Sequence, residues 1–150
     1  MSGMLYLDDL YVGRRFTSPT HEVDEAQIVA FAREFDPQPF HTDPKAAEAT
    51  VFRGLAASGW HTAAITMRLN VASVPIAGGI LGLGGDLAWP HPVRPGDVLR
   101  VENEIVEVTP SKSKPDRGVV TLRSQTKNQR DEIVQVTTVK LLVPRRPLAS

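Results

Sequence analysis

The residues best suited to proton transfer lie in one short segment, Asp36-Pro37-Gln38-Pro39-Phe40-His41. Two prolines restrict the backbone here, and a stiff loop can hold two titratable groups facing one point. An aspartate and a histidine together suit general acid–base chemistry near neutral pH. The spacing alone leaves a second interpretation equally open, in which this is a polar turn between helices, with Asp36 capping backbone groups and His41 half-buried.

A second candidate feature is Ser58-Gly59, at the expected start of a long helix. A helix N-terminus offers unpaired N–H groups and a partial positive charge, and glycine lets a substrate carbonyl approach the backbone closely. The Gly59 N–H could therefore donate to an oxyanion. Taken alone, the pair favours the simpler interpretation of Ser58 as an N-cap and Gly59 as a packing glycine.

A third feature is the segment Gly84-Gly85-Asp86-Leu87-Ala88-Trp89, which is followed by Pro92-Val93. Glycines inside a strand often mark a bulge or the close approach of a ligand. Trp89 is predicted to belong to the core rather than to a ligand wall.

The elements that would position these features are helical in the first half of the chain. The segment Asp24-Glu25-Ala26-Gln27 has the spacing of a capping box, and its helix must end near Pro37, because the residue before a proline avoids the α region. Asp43-Pro44 predicts a second, short helix. A third helix, over about 58–72, has apolar residues on more than one side and is expected to be deeply buried.

The second half of the chain is predicted to be stranded, because β-branched and apolar residues recur there with a partly alternating pattern. The connections are too short for crossover helices, so the strands should be antiparallel neighbours. The fold class is therefore α+β, with an antiparallel sheet wrapped around one central helix in a single domain of residues 1–150. The predicted strands are a short one near 13–17 and longer ones near 80–89, 97–109, 117–127 and 132–143.

Composition excludes several function classes. Seventeen basic residues balance seventeen acidic ones, whereas a nucleic-acid-binding domain usually carries a strongly basic face. The absence of cysteine excludes disulfides, thiolate metal sites and cysteine nucleophiles. The four histidines lack metal-ligand spacing, so no metal is expected. No signal peptide or membrane-spanning run is visible, which predicts a cytoplasmic protein with no membrane partner.

The order of these features resembles that of the MaoC-like dehydratases and R-specific enoyl-CoA hydratases, which have the hotdog fold. In that family a loop motif, D-x-N-P-x-H, carries the catalytic Asp and His, which correspond here to Asp36 and His41, with Gln38 in place of the usual Asn. The family's central helix opens with His-Gly, whose glycine N–H forms the oxyanion hole. Ser58-Gly59 stands at the matching distance, and the resemblance covers about residues 8–143.

The resemblance implies a hydro-lyase that reversibly hydrates a 2-enoyl thioester, or dehydrates a 3-hydroxyacyl thioester, in fatty acid metabolism. Asp36 and His41 would be its acid–base pair and Gly59 its oxyanion donor. Ser58, Gly84 and Met67 are expected to face the substrate, and Met67 stands where some members carry a serine, which implies a differently shaped acyl pocket.

The same resemblance implies an acyl-CoA or acyl carrier protein thioester as the substrate, no cofactor, and a homodimer. An exposed sheet edge also favours pairing with a second copy. Two rival functions share the fold. One is an acyl-CoA thioesterase, and the other is a non-catalytic hotdog subunit that binds acyl chains. The Asp36–His41 loop favours hydration over hydrolysis, and the presence of Asp36, His41 and Gly59 argues against a non-catalytic subunit.

Overall fold

A six-stranded antiparallel sheet is the frame of the molecule, for which a computed structural model describes residues 3–148. The strand order is β1-β4-β5-β6-β3, with the short β2 also paired to β4. A short 3-10 turn at Leu7–Asp9 precedes the sheet. The elements are β1 Arg15–Thr17, β2 His21–Val23, α1 Glu25–Phe35, α2 Pro39–Thr42, α3 Pro44–Ala47, α4 Gly59–Ser73, β3 Leu81–Ala88, β4 Asp97–Pro110, β5 Arg117–Lys127 and β6 Ile133–Pro144.

The long strands form where the sequence alternates between apolar and polar residues. In β4 every second residue from Asp97 to Ile105 is buried, including Leu99 and Val101. Each fully buried valine or leucine contributes about 1.5–3 kcal/mol relative to an exposed one, and slipping the register by one residue would turn this whole set outward. The predicted antiparallel sheet and its four long strands are therefore confirmed.

Helix α4 packs against β4 and β6 of the sheet, and Ser58 caps it by accepting a hydrogen bond from Trp60 N–H. Ile65 and Leu69 are buried in the core that the helix shares with β4. The prediction that this helix is deeply buried is wrong for one face. Along that face Trp60, Met67 and Val71 are each about half exposed, so the apolar residues outside the core stripe meet solvent in this chain.

A closed ring of three buried polar side chains ties α4 to the sheet. Asn70 donates to Ser124 Oγ at 3.2 Å, Ser124 Oγ donates to Asn103, and Asn103 donates back to Asn70 Oδ1 at 2.9 Å. Each member therefore has a partner on both sides, which is the condition under which buried polar groups stabilise a core rather than destabilise it. The ring fixes the position of α4 relative to β4 and β5.

The start of α1 corrects one local prediction. Asp24 does cap the helix, because its carboxylate accepts from Gln27 N–H at 2.8 Å. The side chain of Gln27, however, bonds to His21 and to the Glu22 carbonyl instead of returning to the Asp24 N–H. The reciprocal half of the predicted capping box is absent, because β2 offers Gln27 partners that an isolated helix would not.

His61, in the first turn of α4, makes the stability of the fold sensitive to acid. Its ring is buried and stacks on Phe31, with centroids 4.6 Å apart. Burial lowers the pKa of His61 below its ordinary value, and the nearby His21 lowers it further. The unfolded chain therefore binds more protons just below about pH 6.5, the ordinary histidine pKa, so the free energy of unfolding falls as the pH drops through this range.

We expect His61→Phe to reduce this pH dependence, because phenylalanine keeps the stack on Phe31 and cannot be protonated. Urea unfolding followed by circular dichroism between pH 8 and pH 5 measures the effect. The exposed His91 provides the matched control, and His91→Gln should leave the slope of the wild type unchanged. An identical slope in His61→Phe and wild type would contradict the assignment to His61.

None of the helices within residues 3–148 is long and apolar enough to cross a membrane.

Candidate active site

The segment between α1 and α3 holds Asp36 and His41 close to the N-terminus of α4. Helix α1 ends at Phe35, although the Asp36 N–H still donates to the Ala32 carbonyl at 2.8 Å. Pro37 has no N–H with which to continue the helix, and Pro39 begins the single turn α2, where the fixed φ of proline is favourable. This turn, which the sequence analysis did not predict, carries His41 back toward Asp36.

The imidazole of His41 faces the carboxylate of Asp36, with Nε2 and Oδ2 3.4 Å apart. On the other side of the ring, Nδ1 lies 2.6 Å from the Ala56 carbonyl oxygen. A carbonyl can only accept a hydrogen bond, so Nδ1 must carry a hydrogen. In the neutral ring Nε2 therefore has a free lone pair, and this lone pair points toward Asp36.

Two neighbouring side chains keep Asp36 ionised. Burial would raise the pKa of this carboxyl group, but hydrogen bonds from Ser58 and Gln38, together with the charge of His41, outweigh burial and leave the pKa below its ordinary value. Ser58 Oγ donates to Oδ2 at 2.7 Å, and the Gln38 amide donates to Oδ1. Asp36 is therefore a carboxylate at neutral pH, and it lies beside the ring of His41.

We expect Ser58→Ala to raise the pKa of Asp36, because burial would remain while one of the bonds that lowers the pKa is lost. The variant also loses the cap of α4, which should cost about 0.5–2 kcal/mol of unfolding free energy. A ¹³C NMR titration of the Asp36 carboxyl group and urea unfolding measure the two effects. Ser73→Ala, at the other end of α4, is the matched control for the pKa, and an unchanged Asp36 pKa in Ser58→Ala would refute the argument.

Gly59 is both a packing glycine and a residue with a free N–H, the two interpretations that the sequence left as alternatives. As the first residue of α4 it has an N–H without a helical acceptor, and no hydrogen bond from it occurs within residues 3–148. Its Cα also lies against the indole of Trp89, since a Cβ added at Gly59 would stand 2.5 Å from Trp89 Cε2. Glycine is therefore required by packing, and its N–H is also available as a donor.

A cavity of about 570 Å³ lies in front of Asp36 and His41. Gly59 and Trp89 also border it, so Asp36, His41 and Gly59 share one space. The prediction that Trp89 belongs to the core is wrong, because the side chain is 41% exposed and forms part of the cavity wall. The remaining lining is largely aromatic or apolar and includes Phe40, Phe52, Trp60, Pro92, Val93 and Val134.

The three residues predicted to face a substrate are separated in the structure. Met67 and Gly84 border a second cavity of about 250 Å³ between α4 and the sheet. Gly84, with φ of 141°, lies at the register shift that begins after Gly82, so the predicted strand irregularity is confirmed. Ser58 borders neither cavity. It is fully buried and donates a hydrogen bond to the Asp36 carboxylate.

Two groups of the site were not identified from the sequence. The Ala56 carbonyl that orients His41 belongs to a backbone, which leaves no residue-type signal. Gln38 was noted only because it replaces the family's asparagine. This replacement could have drawn attention to the residue, since the Gln38 amide bonds directly to the Asp36 carboxylate.

Comparison with known proteins identifies the family. A family model for the MaoC like domain matches residues 11–138. The chain belongs to the MaoC-like domain family. The hotdog fold predicted for such a chain is confirmed by the sheet wrapped around α4 and by the similarity to solved MaoC-like structures.

Three relatives illustrate the range of similarity to this MaoC-like chain. A solved MaoC-like dehydratase from Rhodospirillum rubrum is 60% identical, with a TM-score of 0.94 over 96% of this chain and 99% of that one. The R-hydratase PhaJ1 from Pseudomonas aeruginosa is 27% identical, with a TM-score of 0.76 over 97% of this chain and 92% of that one. The uncharacterized protein YdeM from Bacillus subtilis (strain 168) is 30% identical over 149 residues, which is 93% of this chain and 99% of YdeM.

Proposed function

We propose that this MaoC-like protein is a hydro-lyase that reversibly adds water to the double bond of a 2-enoyl thioester. The observation that carries the proposal is the approach of His41 Nε2 to Asp36 Oδ2, 3.4 Å apart, at a cavity that Gly59 also borders. Two bases facing one point can activate water, and the N–H can receive the charge that develops on the thioester oxygen. The R-hydratase among its structural relatives supports the same reaction class.

The reaction adds the hydroxyl group of one water molecule to C3 of the substrate and a hydrogen to C2. A water placed between His41 Nε2 and Asp36 Oδ2 donates one hydrogen to each acceptor, so its oxygen lone pair is directed at C3 of the substrate. The C3–O bond forms as the pair takes one proton from the water, and the electrons of the C2–C3 double bond move toward the thioester carbonyl. The pair then delivers one proton to C2, which regenerates the initial protonation state of the site.

The oxyanion that forms on the thioester oxygen needs a donor already in place. The Gly59 N–H is held there by the first turn of α4, so it does not have to reorganise during the reaction. Removing one such donor in other enzymes costs about 3–4 kcal/mol of transition-state stabilisation. Hydration changes no overall oxidation state, so the proposal includes no redox cofactor. Coenzyme A or acyl carrier protein would be the thiol portion of the substrate.

The test is a spectrophotometric assay of the purified protein with trans-2-enoyl-CoA substrates. We expect loss of absorbance from the conjugated double bond and formation of an R-3-hydroxyacyl-CoA, identified by chiral analysis. A thiol reagent in a parallel assay detects free coenzyme A, and the absence of cysteine from the chain means that the protein contributes no background. Thiol release without hydration would replace the proposal with a thioesterase.

We further propose that two copies of the chain form a homodimer through β3 and α4. Strand β3 is the last strand of the sheet, and its outer edge has no neighbour within residues 3–148. Its side chains are largely exposed, as are Met67 and Val71 on the adjacent face of α4. An unpaired edge beside exposed apolar side chains is suited to pairing with a second copy.

Light scattering at micromolar concentration should therefore give twice the 16.4 kDa mass of the chain. A monomer under these conditions would contradict the dimer and leave the proposed reaction untouched.

A further inference from the structure

Trp89 and Gln135 stand between the two cavities that border α4. The indole lines the active-site cavity, while Gln135 lines the second one. Trp89 Nε1 donates to Gln135 Oε1 at 2.8 Å. The second cavity, which also contains Met67 and Gly84, is therefore next to the active site but separated from it by this hydrogen-bonded pair.

Three contacts fix the indole in this position. Its ring lies against the backbone of Gly59, where an added Cβ would be 2.5–2.7 Å from three ring carbons. Trp60 packs edge-on against it, with centroids 5.3 Å apart. Rotating the ring away would also leave Oε1 of the buried Gln135 without its donor, and an unpaired buried acceptor is unfavourable.

A bulge in β6 supplies the anchor for the indole. Thr126 is paired with Gln135, whereas the next residue of β5, Lys127, is paired with Ile133, so Val134 is an extra residue in β6. Consecutive residues in a regular strand point to opposite faces, but Val134 and Gln135 are both buried. The bulge thus places Val134 at the active-site cavity and Gln135 at the second cavity.

We infer that Trp89 is a specificity-determining residue that closes the acyl end of the active site and restricts the protein to short-chain 2-enoyl thioesters. This inference rests on the proposed hydration, in which the thioester carbonyl binds at the Gly59 N–H. The indole covers the Cα of that same glycine, so an acyl chain that extends far beyond the double bond meets the ring. The second cavity is the space that a longer chain would enter once the indole is removed.

The experiment compares kcat/KM for trans-2-butenoyl-CoA and trans-2-octenoyl-CoA in wild type and in Trp89→Ala. We expect the wild-type protein to prefer the butenoyl substrate by at least about tenfold, which is the discrimination that a pocket wall commonly provides. In Trp89→Ala the ratio of the octenoyl to the butenoyl value should rise by at least about tenfold. Gln135→Leu, which removes the acceptor of the indole but keeps the ring, should shift the ratio in the same direction by less.

Trp60→Ala is the comparison variant, because it removes one contact of the Trp89 indole but keeps that indole and its bond to Gln135. Its substrate ratio should therefore shift by clearly less than the ratio in Trp89→Ala. An equal shift in Trp60→Ala and Trp89→Ala, an unchanged ratio in Trp89→Ala, or equal wild-type efficiencies for the two substrates would overturn the inference. If Trp89→Ala fails to fold, Trp89→Leu and Gln135→Leu decide by the same ratio.

The two proposals fail in different ways. No hydration of either substrate by the folded wild-type protein would remove the proposed function and this inference with it. Hydration of both substrates with similar efficiency would remove only the assignment to Trp89 and leave the hydro-lyase in place.

Discussion

Asp36→Asn should lower kcat for hydration of an enoyl-CoA by about 10²–10⁴-fold, the range that a positioned acid–base group contributes. The substitution removes the negative charge and the basic oxygen that faces His41. It keeps the shape of the side chain, and the asparagine Oδ1 can still accept the hydrogen bond from Ser58. The loss should therefore appear in kcat, with little change in the urea midpoint of unfolding.

Asp43→Asn is the matched control for this prediction. Asp43 lies in the same segment but caps α3 through the backbone N–H groups of Lys45 and Ala46, and asparagine serves as an N-cap about as well as aspartate. Its kcat should remain near that of the wild type. Retention of more than about a tenth of the wild-type kcat in Asp36→Asn would contradict the role given to this carboxylate.

His41→Ala should reduce kcat to a similar extent. Groups that act as one unit give non-additive losses, so combining His41→Ala with Asp36→Asn should lower kcat little beyond the more severe single change. If the fold-loss of kcat in the double variant equalled the product of the two single fold-losses, the two groups would act independently.

Gly59→Ala should destabilise the protein by about 1–3 kcal/mol, the usual cost of forcing a methyl group into a packed space. The added carbon would stand 2.5 Å from Trp89 Cε2, and the ring cannot retreat without losing its bond to Gln135. Urea unfolding gives the free energy. The second substitution Trp89→Ala should recover part of the loss in the double variant, because it removes the atoms that the methyl group meets.

Gly82→Ala provides the control for the intrinsic effect of replacing glycine by alanine. A Cβ at Gly82 would meet only Val139 Cγ1, at an ordinary 3.7 Å. This variant should be close to the wild type in stability. A similar loss in Gly59→Ala with and without Trp89 would show that the indole is not the cause of the destabilisation.

Local rules were sufficient to predict most of the fold from the sequence. The helix boundaries depend on interactions between residues close together in the chain. They are set by the proline at position 37 and by the N-caps Asp24, Asp43 and Ser58. The strands could be predicted because only one face of the sheet is buried against the core. Apolar and polar residues therefore alternate along a strand, as they do in β4. The turn α2 was missed because it is a single turn whose formation depends on its neighbours.

The arrangement around Trp89 could not be predicted, because it depends on residues far apart in the chain. The bulge that turns Gln135 inward is defined by pairing between β5 and β6, and the indole is 46 residues away from its acceptor. The ring of Asn70, Asn103 and Ser124 has the same origin, since each polar residue alone resembles a surface residue of its element. Such long-range pairs leave no periodic signal in one sequence.

The two prolines between Asp36 and His41 also have a consequence for the entropy of the site. Proline restricts the backbone in the unfolded chain as well as in the folded one, and each compatible proline reduces the conformational entropy lost on folding by an amount equivalent to about 0.4–1 kcal/mol. The segment that carries the carboxylate and the imidazole is therefore ordered at lower entropic cost than a loop of ordinary residues would be. The separation of the two bases is set when the chain folds, and little of the binding energy of a substrate is needed to bring them together.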